Sequence, residues 1–359
     1  MDSVAWPDSP ALLMTTRAGF ESDAAAELTE RAAEQGYYGY CRARADTGLV
    51  EFRAHDGGAV AGLQEALAFP SLMFSRQWLA GPGWLTDLPP EDRLSPLLAS
   101  LPSGARYADV FLEYPDTNDG KALSRFCRGF GRAVHAALEK RGLLDPRAAR
   151  RLHLLFTDSA TVFPGVAPTA NSAPWHLGIP RLRMPGDAPS RSTLKLEEAL
   201  LTLLTEHERE RFLAPGRTAV DLGAAPGGWT WQLVRRGMHV TAVDNGPMAA
   251  TLMDSGLVTH ERRDGFRFRP ARPVDWLVCD MVEQPGRILP LVGRWLAHGD
   301  CRQAVFNLKL PMKQRYATVR DGLQRLRETL DQARYPACIR CKQLYHDREE
   351  VTVSVVPAS

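Results

Sequence analysis

The second half of this 359-residue sequence predicts an α/β fold built on a doubly wound, mostly parallel sheet. A glycine-rich stretch at 221–228, DLGAAPGG, lies between a short β-branched and apolar run and a sequence that can begin a helix. Further apolar runs at 239–244 and 274–280 each end in an aspartate. Strands that alternate with helices form parallel sheets, whose ligands bind at the carboxyl ends of the strands. We therefore expect a row of acidic groups at a ligand-binding edge.

The first half of the sequence mixes strand and helix patterns, as an α+β domain does. Alternating and β-branched runs indicate strands, and an alanine-rich stretch indicates a helix. The predicted elements are, in order, a strand at 12–14, a turn at 17–20, a helix over 24–32, paired strands at 37–44 and 49–53, and a strand at 108–113.

The next predicted helix has a purely basic outer face. Its four cations are spaced by 4, 3 and 4 residues and are Lys121, Arg125, Arg128 and Arg132. Apolar side chains occupy the opposite face. An ordinary solvated face is the alternative, but such faces usually mix charges, because like charges at i,i+4 destabilise a helix by about 0.2–0.5 kcal/mol per pair. We favour contact with nucleic-acid phosphates, which is salt-dependent and not sequence-specific.

Proline distribution suggests the domain boundary. Six prolines fall between positions 164 and 189, a density that opposes regular helix and central strand. We interpret 166–189 as a linker between a first domain at 1–165 and a second at 190–359. The length of the chain agrees with about two or three domains.

Composition is that of an ordinary globular protein, with 44% hydrophobic and 24% charged residues. The net charge is only +2, so nucleic-acid binding would depend on local basic patches. We find no apolar run near the roughly 20 residues of a membrane span and no basic secretory n-region. Six scattered cysteines are then expected to be reduced in the cytoplasm, and Cys338-x-x-Cys341 lacks further zinc ligands.

The glycine loop narrows the ligand class. Gly223, Gly227 and Gly228 do not match the dinucleotide pattern G-x-G-x-x-G, and Trp229 stands where a phosphate-binding P-loop has lysine. Glycine lets the backbone approach a ligand closely, whereas the Asp221 carboxylate would repel a phosphate. The loop predicts an adenosine cofactor with a positive group and no phosphate, as in S-adenosylmethionine. A glycine turn without a ligand is the alternative.

Four ionisable residues stand at element ends, where they could converge: Lys195, Asp280, Lys309 and Glu350. A lysine in an apolar strand, such as Lys309, is costly unless it is paired or functional, although a strand-end amine can also reach solvent. If the four converge, a second cation and burial would lower the pKa of Lys309 from about 10.4, so that it could accept a proton from a hydroxyl. Alternation places only one of Glu349 and Glu350 on this face, and we choose Glu350.

These four residues resemble the Lys-Asp-Lys-Glu tetrad of the FtsJ-like ribose 2′-O-methyltransferase family. The resemblance covers nearly the whole chain and points to one branch of that family. It is carried by the segments 17–21, 74–77, 190–199, 243–248, 306–313 and 344–353.

The resemblance implies a Rossmann-like class I methyltransferase domain preceded by a ferredoxin-like and THUMP module that binds RNA. It implies Lys309 as the general base. With the loop residues, it implies an S-adenosylmethionine site at Ser192, Asp221, Gly223, Ala225, Pro226, Gly227, Gly228, Asp244, Asp264 and Asp280. The implied acceptor is the ribose 2′-hydroxyl of a cytidine in the peptidyl-transferase loop of 23S rRNA (position 2498 in standard rRNA numbering), free or in an early large-subunit precursor. We expect a cytoplasmic monomer.

Other acceptors are weaker alternatives. Amino-group methylation of bases typically uses an Asn/Asp-Pro-Pro-aromatic loop, whereas residues 280–283 read DMVE. Cytosine C5 methylation needs a cysteine after proline, and Cys279 follows Val278. A nicotinamide dehydrogenase conflicts with the glycine spacing, and a non-catalytic RNA-binding protein would not need the four-residue set.

Overall fold

The structure, a computed structural model, describes residues 6, 10–55 and 60–358. The chain divides into two compact units between Pro180 and Arg181. The elements of the first unit are β1 (Ala11–Thr15), α1 (Glu21–Glu34), β2 (Gly39–Ala43), β3 (Leu49–Ala54), α2 (Val60–Ala66), β4 (Gln77–Gly81), α3 (Leu94–Ala99), β5 (Val110–Glu113), α4 (Asn118–Ala122), α5 (Ser124–Lys140), β6 (Arg150–Phe156) and β7 (Val162–Pro168), with 3₁₀ turns at Phe69–Ser71 and His176–Gly178.

The first unit is built on a mixed sheet with the strand order β2-β3-β1-β4-β7-β6-β5. Its neighbours are antiparallel except for β5 and β6, which are parallel. β1 is buried along its whole length between β3 and β4, which explains its apolar sequence. The antiparallel pairing of β2 with β3 confirms the paired strands expected there.

The proline-rich stretch differs from its prediction at its start. β7 contains Pro164 and Pro168 and lies inside the sheet, so the predicted linker at 166–189 overlaps a central strand. Val162 exchanges both backbone hydrogen bonds with Leu85 on the β4 side, and alternation turns Pro164 the same way. Pairing of β7 with β4 is limited to Ala80 opposite Val166. The proline is tolerated because the side it faces carries few ladder bonds.

The basic helix begins later than expected. The chain forms a short α4 first, which the Thr117 side chain caps by accepting a hydrogen bond from Gly120 N at 2.9 Å. Leu123 then separates α4 from α5. Cys127 and Val134 are buried in the core of the unit, and Phe126 stacks on Phe130 at 5.5 Å. The apolar face predicted for this helix is therefore confirmed.

The second unit alternates strands and helices through most of its length. Its elements are α6 (Thr193–Leu203), α7 (Glu206–Phe212), β8 (Thr218–Leu222), α8 (Gly228–Val234), β9 (His239–Val243), α9 (Ala250–Met253), β10 (Val258–Glu261), β11 (Val274–Cys279), α10 (Pro285–Ala297), β12 (Cys301–Lys309), α11 (Arg315–Gln332), β13 (Ala337–Lys342) and β14 (Glu350–Pro357).

The sheet of the second unit has the strand order β10-β9-β8-β11-β12-β14-β13. The strands from β10 to β12 are parallel, and β14 is antiparallel to both β12 and β13. The order reverses at β8, from which the chain proceeds first to β9 and later to β11. Open α/β sheets bind ligands outside the strand ends at such a reversal. The predicted doubly wound fold is confirmed.

Helices α6 and α8 bring the first functional residues to this edge. Leu196, Leu200 and Leu203 of α6 share one apolar core with Trp229 and Leu233 of α8. The same core includes inward-facing residues of the central strands. This packing fixes the amino ends of both helices relative to the sheet.

Candidate active site

The glycine loop connects β8 to α8 through backbone that other residues would not adopt easily. Gly223 and Gly227 have φ of 79° and 118°. A Cβ at Gly223 would lie 2.7 Å from Met281 Cγ, and one at Gly228 would lie 2.1 Å from Ser192 Oγ. The loop is therefore a close-packed cradle in which Gly227 and Gly228 are buried, and each of these positions requires glycine.

Acidic side chains shape the loops around this cradle. Asp244, which follows β9, accepts hydrogen bonds from Ala225 N at 3.0 Å and Gly246 N at 2.7 Å. Asp264 accepts one from Phe266 N at 2.9 Å. The peptide bond between Ala225 and Pro226 is cis. These residues thus lie at the predicted edge, where Asp244 ties the glycine loop to the end of the neighbouring strand.

Asp221 lies deeper than the sequence indicates. It is 1% exposed in β8 and accepts a hydrogen bond from Thr230 Oγ1 at 2.7 Å. Its second carboxylate oxygen, Oδ1, is buried without a hydrogen-bond partner among the described residues. Burial and the charges of Asp280 and Asp244 raise the pKa of Asp221 to about 7, although the hydrogen bond from Thr230 opposes this shift. A buried carboxylate with one free oxygen suits a cationic ligand group.

The four ionisable residues singled out from the sequence meet in one cluster, which we call the tetrad. Lys195, in the first turn of α6, has its Nζ 3.4 Å from Asp280 Oδ1. The carboxylate of Glu350 pairs with Lys195 through one oxygen and with Lys309 through the other. Lys309 and Glu350 are register partners in the antiparallel β12–β14 ladder. The tetrad is therefore built across three neighbouring strands and one helix.

Glu350 rather than Glu349 faces the tetrad. The Glu350 side chain is 3% exposed, whereas that of Glu349 is 62% exposed and pairs with Arg315 at 3.1 Å. The geometry agrees with the choice of Glu350 over Glu349.

The charges of the tetrad stabilise one another. Burial acts to lower the pKa of Lys195, but Asp280 and Glu350 outweigh it and raise that pKa above its ordinary value. Burial acts to raise the pKa of Glu350, but both lysines hold it below its ordinary value. Burial and the charge of Glu350 raise the pKa of Asp280, although Lys195 opposes this shift. Lys195 therefore remains an ammonium and Glu350 a carboxylate at neutral pH.

A buried polar chain supports the tetrad, and sequence analysis missed it. Asn307 Nδ2 donates to Asp280 Oδ1 at 2.7 Å, and Asn307 Oδ1 accepts from Thr352 Oγ1 at 2.7 Å. Thr352 is also within 3.1 Å of the buried carboxylate of Asp347. Asn307 and Thr352 are each two residues from a tetrad member, so strand alternation was the available signal.

The predicted basic face is exposed on the first unit. In the part of the chain that the structure describes, none of its four side chains forms an ion pair. These side chains are Lys121, on α4, and Arg125, Arg128 and Arg132, on α5. Because Lys121 precedes the break at Leu123, the single helical face predicted from the spacing is found only for the three arginines of α5. Exposed cations without ion pairs among the described residues make a surface suited to a polyanion.

A buried ionisable pair that sequence analysis did not single out joins β5 to β6. His153 Nδ1 and Glu113 Oε2 are 2.8 Å apart, and the two side chains are 0% and 1% exposed. The other Glu113 oxygen accepts a hydrogen bond from Leu177 N. His176 stacks on Phe111 with ring centroids 3.8 Å apart. This pair anchors the segment that precedes the unit boundary.

Curated relatives match this chain over almost its whole length. A Pseudomonas aeruginosa (strain LESB58) protein described as ribosomal RNA large subunit methyltransferase M is 53% identical over 95% of this chain and 97% of its own. Proteins of the same description from Cellvibrio japonicus (strain Ueda107) and Stutzerimonas stutzeri (strain A1501) are 51% and 52% identical, over 95% of this chain and 97% of theirs. The chain belongs to the ribosomal RNA large subunit methyltransferase M family.

Family models match successive parts of the chain. The RlmM ferredoxin-like domain matches residues 10–79, the N-terminal domain of ribosomal RNA large subunit methyltransferase M matches 92–168, and the FtsJ-like methyltransferase matches 188–294. These matches confirm the predicted class of enzyme, an RNA methyltransferase, and the ferredoxin-like domain before it.

Solved structures are only distantly similar. The Methanococcus jannaschii fibrillarin pre-rRNA processing protein is 12% identical, with 41% of this chain and 68% of that chain covered and a TM-score of 0.29. A likeness this weak adds nothing to the family assignment. Among the residues that the structure describes, no helix has the length and apolar character needed to cross a bilayer, and no group of three or more His, Cys, Asp or Glu side chains could hold a metal.

Proposed function

We propose that this chain transfers a methyl group from S-adenosylmethionine to the ribose 2′-hydroxyl of a cytidine in the peptidyl-transferase loop of 23S rRNA. The observation that carries the proposal is the pairing of Lys195 and Lys309 through the single buried carboxylate of Glu350. A hydroxyl attacks a methyl group well only as it loses its proton, and this arrangement supplies a candidate base beside a fixed cation.

Exposure separates the roles of the two lysines. The Lys195 side chain is 15% exposed and touches both carboxylates, whereas Lys309 is 34% exposed and touches Glu350 alone. Lys309 is therefore the amine that can reach a substrate hydroxyl and, in its neutral form, accept its proton as the methyl group is transferred. Lys195 stays charged and stabilises the developing alkoxide, and Asp280 orients Lys195.

The cofactor is S-adenosylmethionine, whose sulfonium supplies an activated methyl group when it is bound. The residues of the glycine cradle fit it, because the loop lies at the carboxyl end of β8, where the strand order reverses, and Asp221 offers a buried free oxygen to a cationic group. The proposed binding residues are Ser192, Asp221, Gly223, Ala225, Pro226, Gly227, Gly228, Asp244, Asp264 and Asp280.

The first unit is proposed to bind the rRNA. Its basic face, at Lys121, Arg125, Arg128 and Arg132, would contact backbone phosphates and contribute affinity without sequence specificity. We assign residues 1–165 to a ferredoxin-like and THUMP module that recognises 23S rRNA, free or in an early precursor of the large subunit. The enzyme acts as a monomer in the cytoplasm.

A cysteine mechanism on a base is a poor alternative. Cys279 is buried inside β11, and burial raises the pKa of its thiol to about 12. A nucleophilic cysteine needs a low pKa and access to the substrate. The hydroxyl of another RNA ribose is the closest competing acceptor.

The test uses 23S rRNA that lacks the modification and S-adenosylmethionine with a labelled methyl group. Label is expected on one ribose, and Lys309→Ala should reduce the rate by about 10²–10⁴-fold, as loss of a general base does. The control is Lys313→Ala, an exposed lysine four residues away, which should keep its rate at saturating RNA. Label on a base, or full activity in Lys309→Ala, would refute the proposal.

A further inference from the structure

Two exposed apolar side chains flank the tetrad. Among the large apolar side chains that the structure describes, Val282 and Met312 are the most exposed, at 84% and 88%. Val282 lies two residues beyond Asp280, and Met312 lies three beyond Lys309. Single exposed apolar residues are common on protein surfaces. Here, however, the two most exposed cases both lie within three residues of a tetrad member.

The loops that carry these side chains leave the same edge of the sheet. β11 and β12 are parallel neighbours, with Cys279 opposite Phe306, and neighbouring strands lie about 4.8 Å apart. The hydrogen bond from Asn307 to Asp280 joins the two strand ends directly. Val282 and Met312 therefore stand on adjacent loops that begin at the reacting groups.

The loop that carries Val282 is fixed by the residues on either side of Val282. Met281 packs so closely on the glycine loop that a Cβ at Gly223 would lie 2.7 Å from Met281 Cγ. On the other side of Val282, Glu283 pairs with Arg287 of α10. An apolar side chain between two fixed neighbours is presented to solvent by the loop and is not a product of a loose segment.

The Met312 loop is tied at both ends to one residue. Leu310 N donates to the backbone oxygen of Glu349 at 2.8 Å, and Arg315 Nη2 donates to Glu349 Oε2 at 3.1 Å. Glu349 adjoins Glu350 of the tetrad, so these two bonds fix the position of the loop relative to the tetrad. Glu349, the residue not chosen for the tetrad, therefore holds the loop that carries Met312.

We propose that Val282 and Met312 form a nucleobase clamp that holds the base of the nucleotide whose ribose is methylated. This inference rests on the proposed function. A hydroxyl within hydrogen-bond reach of Lys309 (about 2.6–3.2 Å) carries its base on the adjacent ribose carbon, which brings the base close to the loops that follow Asp280 and Lys309. Proteins hold unstacked RNA bases by packing on their faces, and a methionine sulfur contacts aromatic rings favourably.

The clamp is tested with the double variant Val282→Ser/Met312→Ser and a 23S rRNA fragment. KM for the RNA should rise about five- to tenfold, because apolar area no longer covers the base. kcat at saturating RNA and the Kd for S-adenosylmethionine should stay within about twofold, since neither residue is proposed to react. The control is Met253→Ala, a matched methionine on α9 that is 40% exposed, and this variant should behave as wild type.

A substrate lacking the target base separates contact with the base from a general effect on the loops. The abasic RNA should raise KM for the wild type, while the double variant should suffer little further loss on it, because the contact is already gone. Effects that add fully would overturn the clamp, as would a wild-type KM in the active double variant. If the wild type methylates no ribose at all, the proposed function fails instead.

Discussion

Replacing Asp221 by asparagine should change how the stability of the protein depends on pH. The carboxyl is fully buried, and burial with nearby negative charge raises its pKa from 3.8 to about 7. Between these values the folded protein holds a proton that the unfolded chain has lost. Stability therefore falls as pH rises through this interval and levels off above pH 7. The substituted asparagine cannot titrate, although Thr230 can still donate to its amide oxygen.

The magnitude follows from the shift. One pKa unit corresponds to about 1.4 kcal/mol, so ionising Asp221 in the folded state costs about 4 kcal/mol at pH 8. At pH 5 only about one unit of that cost is present, which leaves a difference of about 3 kcal/mol between the two conditions. Constant effects of the substitution, such as an unsatisfied amide hydrogen, cancel in this difference.

Urea unfolding of the wild type and of Asp221→Asn at pH 5 and pH 8 measures this difference in stability. The free energy of unfolding of Asp221→Asn, relative to wild type, should be about 3 kcal/mol higher at pH 8 than at pH 5. Asp275→Asn is the matched control. Although burial opposes it, bonds from Thr218 and Arg217 hold the pKa of Asp275 below its ordinary value, so its effect should be the same at both pH values. Parallel pH curves for wild type and Asp221→Asn would refute the reasoning.

Three further predictions concern other parts of the molecule. Gly228→Ala should weaken S-adenosylmethionine binding at least about tenfold by calorimetry, because its Cβ would lie 2.1 Å from a serine hydroxyl oxygen; unchanged affinity would mean that the cradle yields easily. Glu113→Ala should cost about 2–6 kcal/mol in urea unfolding, since two buried donors, Leu177 N and the His153 ring, lose their acceptor at about 1–3 kcal/mol each, and a cost below about 1 kcal/mol would contradict this. Arg125→Ala/Arg128→Ala should lower the slope of log RNA affinity against log salt by about 1.5–2 with cofactor affinity unchanged, whereas an unchanged slope would make the face merely solvated.

Local chemistry made much of the second unit predictable. Glycine at 223, 227 and 228 requires unusual backbone or close packing, so the sequence itself marks the turn between β8 and α8. Lys309 was identifiable because a lysine in an apolar strand is costly without a purpose. Signals of this kind depend on residue type and position in the sequence, and they need no information about which residues lie close in space.

Non-local pairing was beyond the sequence patterns. Periodicity indicates that Asn307 and Lys309 share a face, but not that Thr352 and Glu350 lie opposite them. That register depends on β14 entering between β12 and β13. Likewise, the sequence predicts that the Asp221 carboxylate lies at the edge of the sheet. Its burial depends on the strands that flank β8, which are distant in the sequence. Pro164 in β7 shows the same limit, because its cost depends on the pairing of the side it faces.

The position of β14 also affects when the active site can exist. This strand lies between β12 and β13, both of which precede it in the chain, and it carries Glu350. Before β14 pairs with β12, Lys195 and Lys309 lack the carboxylate that joins them, and Asp280 is left as the tetrad's one acidic group. When β14 pairs with β12 it also brings β13 into the sheet, and in the same event it supplies the carboxylate that bridges the two lysines. Catalytic competence is thus coupled to completion of the fold, and a partly folded chain would hold back its chemistry from the RNA it meets.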